Sequence, residues 1–586
     1  MTLATPAELR QTRTPTPRAA AVGRLVRRHG TPVGLALVLG YLILFPLVRL
    51  QILALSDGGR AYQDAWSLDG LGKTLGTTAA LGLGSLVISL TLGTTLAWFA
   101  LRLPSRWRWL GSVPVLPIVL PAVAVVVGWA FLFSPQVGFV NVWLRKLPFL
   151  DSLPFLDVET PKVGLPSGPF DVYSVPAIIV ITGLQLTPLV FLFVKSGLSQ
   201  INFEAIEAAM ASGAHELRAF FGIVLPMLRP SLIYAGAFGM LLGLGQLTAP
   251  QFLGSREGIR VLATEVYRFG GESPADYALA AAVASPLLVA GVVFIAVQRF
   301  LLRQDFRFST TGTKGANRPL TTSRLAAPII GTFGLLTLVL PLLALFLVAF
   351  SRFWSGDLKL DTMTLDNFRA VFSEPRITSA LQNSIVISVV AMLVALPLAY
   401  LLADILYRRR GAGWTRAVID FLVQMPLGVP AVVFGIGLLY VYLGHPFTLY
   451  GTRFLIVITY VIIVLPFSLR MLLAARISVG TAYEDAARAS GASLLQTHLT
   501  IMVPMMRGAI AGSCVLMFVI LTHEFAASMF VRSTQTQVLG TLLHTEWTHG
   551  SYPMVAAVSI VMSAVTAAGL LLALAIGGRG NTLDRF

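Results

Sequence analysis

The sequence predicts an all-α integral membrane protein: about twelve transmembrane helices in two parallel repeats of six. Three observations carry the prediction. The chain is 56% hydrophobic and only 12% charged over its 586 residues, with a mean hydropathy of +0.78, too apolar for an ordinary soluble fold. Uncharged stretches of the roughly 20 residues needed to cross about 30 Å of hydrocarbon recur along its whole length. A polar, small-residue insert also occurs twice, as "EAAMASGAHELRAFFGIVLP" from Glu207 to Pro226 and as "DAARASGASLLQTHLTIMVP" from Asp485 to Pro504.

Taken in order, the apolar runs are Val33 to Val48, Thr74 to Leu101, Leu110 to Phe133, Val172 to Val194, Pro230 to Leu253, Tyr277 to Gln298, Leu325 to Phe350, Ile377 to Ala403, Phe421 to Leu443, Phe454 to Ala475 (interrupted by Arg470), Gly508 to Val531 and Tyr552 to Gly578. Helices are the expected form, because a spanning helix satisfies its own backbone and these runs lack the short alternation of barrel strands. The first run follows an Arg-rich arm with no cleavage-site pattern, so it is expected to stay as a helix rather than be removed as a signal peptide. The expected organisation is a basic cytoplasmic arm (1–30), a first six-helix half (31–299), a cytoplasmic linker (300–324), a second half (325–578) and a cytoplasmic tail (579–586).

With the N-terminus in the cytoplasm and sides alternating, the inner side carries 28 Lys plus Arg, counting Arg470 of the tenth span, and the outer loops 15, together all 43. That is the positive-inside bias. Acidic residues divide 10 inside and 17 elsewhere, so the net charge of +16 resolves into about +18 inside and −2 elsewhere. The basic balance therefore reports membrane orientation, and nucleic acid is not an expected partner. The single cysteine, Cys514, lies within a span, which excludes an internal disulfide framework or a cysteine zinc site.

Glu207, Gly213, Ile223, Pro226 and Arg229 recur 278 residues later as Asp485, Gly491, Ile501, Pro504 and Arg507, and the same offset maps Pro188 onto Pro466 and Gln246 onto Glu524. Upstream, "LPIVLPAVAVVVG" (Leu116 to Gly128) matches "MPLGVPAVVFGIG" (Met425 to Gly437) at an offset of 309, the difference being absorbed by the long Pro-rich segment from Ser134 to Asp171. An even number of spans separates the two inserts, so both emerge on one side, by the charge count the cytoplasm. The halves are then parallel repeats about an axis along the membrane normal, joined by a flexible tether from Arg299 to Arg324.

Within each insert the Ala- and Glu-rich run favours helix, and a glycine then permits the left-handed residue that ends it. Two short helices meeting at Gly213, and two at Gly491, are expected; Ser493 with Gln496 has the form of a capping box that opens the second of them. Small residues (Ala205, Ala208, Ala209, Ser212) would let another protein approach closely. An amphipathic helix lying at the lipid boundary is the plainer reading, and the duplication with matching spacing weighs against it.

The pattern of EAA, three residues, Gly, nine residues and Ile-x-Leu-Pro resembles the EAA loop of bacterial ABC importer permeases. The second half departs mildly, with Asp485 for Glu and Val503 for Leu. The resemblance covers nearly the whole chain beyond about residue 30. It implies a type I ABC importer-like fold, a coupling helix seated in a cleft on an ATPase subunit, and contacts through Glu207, Ala208, Ala209, Gly213, Asp485, Ala486, Ala487 and Gly491. It also implies two copies of an ABC ATPase, an extracytoplasmic substrate-binding protein and membrane lipid as partners. Two such halves fused in tandem are similar to the permeases of the iron(III) and thiamine importer group. The segments "LTAPQFLGSREGIRVLATEVYRF" with "DYALAAAV", repeated as "AASMFVRSTQTQVLGTLLHTEW" with "SYPMVAAV", resemble the iron(III) branch.

Transport against a gradient needs an energy source, and the nearest P-loop candidate, "SLDGLGKT" from Ser67 to Thr74, has Ser67 where the first glycine belongs and no strand before it. It reads as a loop and helix start. No catalytic residues, cofactor or metal site are expected in the chain, and ATP hydrolysis is assigned to a separate subunit. Ionisable residues inside spans mark pathways, so Gln246, His523 and Glu524 are the pathway candidates: Glu524 is expected deep in the eleventh span, facing its repeat partner Gln246, with hydrogen bonding to a neighbouring helix as the alternative. Gln185 and Gln424 are further candidates. Asp404 and Asp420 are expected to pair with the Arg408 to Arg410 cluster at the cytoplasmic surface. Pro117 and Pro121, repeated as Pro426 and Pro430, are expected to break or kink the third and ninth helices. The resulting reading is a fused importer permease, with iron(III) the leading cargo and thiamine or another small solute next. A secondary transporter of two parallel repeats is the alternative from another class, and a membrane-embedded enzyme lacks any convergent catalytic cluster.

Overall fold

The computed structural model describes residues 30–147, 168–199, 201, 204–302, 322–356, 361 and 363–577. The basic arm, the body of the linker and the tail expected from the sequence lie outside them. Among the described residues the chain is helical, with one isolated bridge between Ser351 and Met363 in place of any strand.

Eight helices are long and apolar enough to cross a bilayer: Gly30–Ser67, Leu71–Ala100, Val175–Leu198, Tyr277–Phe294, Ala326–Ala349, Pro375–Tyr407, Arg453–Val479 and Tyr552–Leu572. Four further spans are bent pairs, at 96° between Ser105–Val119 and Ala122–Phe133, 67° between Phe220–Met227 and Arg229–Leu244, 111° between Gly413–Gly428 and Ala431–Leu443, and 73° between Leu494–Met505 and Arg507–Thr522. Counting each pair once gives twelve spans in two sets of six, and the bent members hold the same places, third and fifth, in each set.

The bends of the third and ninth spans follow from proline. Pro121 and Pro430 sit at the breaks with extended backbone, and each opens the straight helix beyond it, at Ala122 and Ala431. A proline there loses no hydrogen bond, because the first turn of a helix has orphan N–H groups anyway. Pro114 and Pro117 keep the preceding segment in tight 3₁₀ turns, since their missing N–H groups deny it a regular α-helical ladder.

The fifth and eleventh helices are shorter than their hydropathy suggests. They stop at Leu244 and Thr522, where the sequence alone predicts continuous spans to Leu253 and Val531. The chain stays apolar beyond each stop, so composition does not mark it. Non-helical backbone at membrane depth survives only inside protein, and Leu247, Ala249, Phe525 and Ala527 around the two breaks are all buried.

Each half reaches across to the other. The first span packs on the ninth and the seventh packs on the third. The halves also meet where the sixth span crosses the ninth: a Cβ on Gly291 would collide with the carbonyl oxygen of Gly428. Apolar burial gives helices little reason to associate in lipid, so close backbone approach through small residues is what holds such crossings. At the far ends the repeats match bond for bond: Leu262 N–H donates to Thr78 Oγ1 at 2.9 Å, and Leu539 N–H donates to Ser384 Oγ at 2.7 Å.

Gly291→Leu is therefore expected to lower the thermal unfolding midpoint of the purified protein, since overpacking such a crossing costs about 1–3 kcal/mol. Gly236→Leu, on the fifth span with nothing within 4 Å of its would-be Cβ, is expected to leave the midpoint unchanged in the same assay.

Candidate docking site and gate

Both inserts fold as helix, glycine turn, helix. The first runs Glu204–Ala211, turns at Gly213 and resumes at Glu216–Ala219; the second runs Ala482–Ala489, turns at Gly491 and resumes at Leu494–Thr497. Gly213 and Gly491 have the same φ of +87°, in the left-handed region that glycine enters without penalty. The turn hydrogen bonds repeat too. Gly213 N–H donates to Met210 O and Ala214 N–H to Ala209 O, both at 3.0 Å, and Gly491 N–H donates to Arg488 O and Ala492 N–H to Ala487 O, both at 3.0 Å. These paired bonds make a Schellman turn, which satisfies the last carbonyls of the helix that it ends. The expected capping box is present: Ser493 N–H donates to Gln496 Oε1 at 3.1 Å, and Gln496 N–H donates to Ser493 Oγ at 3.3 Å.

The turns stand clear of the bundle, with no atom within 4 Å of a would-be Cβ on either glycine. Ala208, Asp485 and Ala486 are exposed, Ala209 is half-buried and Ala487 is buried; the side chain of Glu207 lies outside the described atoms. Around them, large apolar side chains face outward: Phe221 on the first insert, and Tyr483, Leu494, Leu495 and Leu499 on the second. Phe221 and Leu499 occupy equivalent positions. Exposed apolar groups beside a small-residue helix suit a protein partner.

At the opposite ends of the fifth and eleventh helices, the residues after each break interlock across the two halves. The Phe252 ring lies 5.7 Å from Phe525, 5.5 Å from His544 and 5.8 Å from Trp547, and the Tyr267 ring lies 5.8 Å from Phe530. Trp547 Nε1–H donates to the Phe252 carbonyl at 3.1 Å, and Arg256 donates to the Tyr552 hydroxyl at 2.7 Å. Burial holds the His544 imidazole down at about 4, so it enters this aromatic cluster uncharged at neutral pH. Sequence reading missed the cluster because its members are ordinary apolar residues until the breaks bring them together.

The pathway candidates sit at those breaks. Gln246 donates to Gln185 Oε1 at 3.1 Å, and Gln185 donates to the Ala122 carbonyl at 3.1 Å, which ties the fifth helix to the bend of the third. Glu524 is not within a helix, as the sequence suggests, but in the turn beyond Thr522. Its carboxylate accepts from Ala527 N–H at 2.8 Å, Ser528 N–H at 2.9 Å and the Ser528 hydroxyl at 2.5 Å. It thus satisfies N–H groups at the start of the short helix Ser528–Val531, and no hydrogen bond joins it to Gln246. His523 Nε2 lies 3.0 Å from Thr566 Oγ1 on the twelfth span. Gln424 donates to Asp420 Oδ2 at 2.6 Å.

The expected pairing with the Arg408 to Arg410 cluster holds for Asp404, though not at the surface, and is corrected for Asp420. Asp420 pairs with Arg470 at 3.2 Å, which also explains the charge interrupting the tenth span. Asp404 does meet Arg408, at 2.7 Å, but it is buried and also meets Arg476 at 3.4 Å.

The family model described as the binding-protein-dependent transport system inner membrane component matches residues 89–304 and 395–579. The chain belongs to that family. Each matched segment of this permease contains one glycine-turned insert and the broken helix after it, so the duplication seen in the fold is a duplication of the family unit. The chain is 24% identical over 560 residues to the ferric transport system permease protein FbpB of Actinobacillus pleuropneumoniae, spanning 92% of this chain and 77% of that one. It is 24% identical over 474 residues to a probable ABC transporter permease protein, y4fN, of Sinorhizobium fredii, spanning 78% and 79%. The sulfate transport system permease protein CysT of Salmonella typhimurium is 27% identical over 267 residues, 43% of this chain and 88% of the relative, a single-half match.

Glu524→Ala is expected to lower the thermal midpoint of the permease more than Glu524→Gln. The alanine strands buried N–H groups at about 1–3 kcal/mol each, while the amide keeps one acceptor oxygen. Thermal unfolding of the two purified variants reads the difference.

Proposed function

We propose that this permease forms the translocation pathway of an ATP-driven importer, with iron(III) as cargo, and that its two glycine-turned inserts are the sites on which two ATPase subunits act. One observation carries the reading: two exposed glycine turns with the same φ and the same turn hydrogen bonds, each joined directly to the bent helix that leads to the interlocked aromatic cluster. An ion-driven carrier has no use for such a pair. The similarity to a ferric transport permease over most of both chains supports the choice of cargo, with thiamine or another small solute as the next candidate.

The mechanism follows from connectivity. Each insert faces the cytoplasm, on the side where the charge count puts the excess of Lys and Arg. ATP favours the closed ATPase dimer, and a ligand shifts a two-state equilibrium only through its differential affinity for the states. Closure of the dimer draws the two turns together. The straight helices Arg229–Leu244 and Arg507–Thr522, each about 24 Å long at 1.5 Å per residue, carry the displacement to the far side. There the ring contacts of Phe252 and Tyr267 with the other half part and open the path to cargo delivered by an external binding protein. Gln246, His523 and Glu524 shape the breaks at the head of that path. Cargo recognition belongs to the binding protein, and the path holds its solute loosely.

The reading is tested by reconstituting the permease in liposomes with a candidate ATPase and an iron-binding protein. ATP-dependent uptake of ferric ion, uncompeted by thiamine, is expected; uptake driven by an ion gradient without any ATPase would refute it. In the same liposomes the double variant Gly213→Val and Gly491→Val, strained by about 1–2 kcal/mol at each left-handed position, is expected to leave hydrolysis by the ATPase running while losing most of the uptake.

A further inference from the structure

The two inserts share a backbone but are fastened to the bundle by opposite chemistry. In the first half the fastening is apolar. Leu198 at the end of the fourth span and Ile206 on the insert are buried, and the Phe220 ring lies 5.0 Å from Trp98 on the second span. The same offset that relates the two glycines puts Arg476 in the place of Leu198, Glu484 in that of Ile206 and His498 in that of Phe220. Thr78 and Ser384 make equivalent bonds, and twenty residues on from each stand Trp98 and Asp404.

All four substitutions therefore fall at one joint, and in the second half they build a closed set of ions. Arg476, 1% exposed, donates to Glu484 Oε2 at 2.8 Å and to Asp404 Oδ1 at 3.4 Å. Arg408 donates to Asp404 Oδ1 at 2.7 Å and also pairs with the other oxygen of Glu484. The Tyr400 hydroxyl lies 2.6 Å from His498 Nδ1, and Arg410 reaches Asp404 at 3.6 Å from the rim. Two guanidinium groups thus share two carboxylates drawn from three elements: the eighth span, the tenth span and the insert. Buried ions in such a set are held in place by one another, because removing one leaves its partner charged and unsolvated.

We propose that Arg476 and Glu484, braced by Asp404 and Arg408, are positioning residues that clamp the second insert to the eighth and tenth spans, so that the second half receives the ATPase's push through an ionic joint and the first half through an apolar one. The proposal rests on the docking role given to the inserts, but the clamp itself is visible without any ATPase.

The test uses the full-length permease with Glu484→Ala, with the paired change Arg476→Leu and Glu484→Ile that copies the first half, and with the milder Arg408→Gln. Hydrogen exchange on the permease alone is expected to speed up in residues 482–499 of Glu484→Ala, on the order of a hundredfold, with residues 204–221 unchanged. The paired change is expected to return most of that protection, because Asp404 and Arg408 still satisfy each other. In liposomes with the ATPase, Glu484→Ala is expected to move about tenfold less solute per ATP, and the paired change is expected to recover. Unchanged exchange at 482–499 in Glu484→Ala would overturn the clamp, and so would a paired variant no better than the single one. Should Glu484→Ala not fold, Arg408→Gln carries the same test, because it withdraws one of the two cations on Glu484 and leaves Arg476 in place. A wild-type permease whose uptake ignores the ATPase would overturn the docking role and leave the exchange result standing.

Discussion

A backbone at φ +87°, present at Gly213 and again at Gly491, is the constraint on which the rest of the molecule depends. At each place the chain must end one helix, reverse and start another within a few residues. The left-handed turn does this while satisfying the terminal carbonyls. Any L-residue with a side chain would pay for that conformation, so the glycine and the projecting knob come as one. The knob matters because the chain runs on from it into a bent helix, a break and a set of rings that meet the other half.

The bilayer imposes a second constraint, since non-helical backbone cannot face lipid. The permease nevertheless bends four of its spans, two of them at prolines, and ends the fifth and eleventh helices early, at Leu244 and Thr522. Each break sits where protein can satisfy it. Glu524 supplies a carboxylate to the turn of the eleventh helix, and Gln185 supplies an amide to the bend of the third. Polar residues read from the sequence as pathway candidates thus hold the helix breaks together. The repeats agree in these devices and differ at the joint between insert and bundle, where one half is greasy and the other charged.

Much of this was legible in the sequence. The twelve apolar runs, the duplication and the glycine turns all follow from local pattern, because helix length in lipid and left-handed backbone are written in consecutive residues. The proline breaks were readable for the same reason. The true ends of the fifth and eleventh helices were not, since the residues beyond them stay apolar and only Pro250 and Glu524 hint at a stop. The ionic joint was missed for a different reason: Asp404 lies 72 residues before Arg476 in the chain, and it, Arg476 and Glu484 look like ordinary membrane-edge charges. A signal was there, because the offset that matches the two glycines also sets Arg476 against Leu198 and Glu484 against Ile206.

The proposed function has a nucleotide-driven partner grip both knobs on the inner surface. Cysteines placed at Ser212 and Ser490, both exposed beside the turns, in a chain whose own Cys514 is replaced by alanine, measure it directly with a membrane-impermeant thiol reagent. Labelling of both sites in inside-out vesicles, absent in intact cells and blocked when the ATPase is bound, is the result this account predicts. Labelling from the outer face, or labelling at either site that a bound ATPase does not reduce, would contradict it.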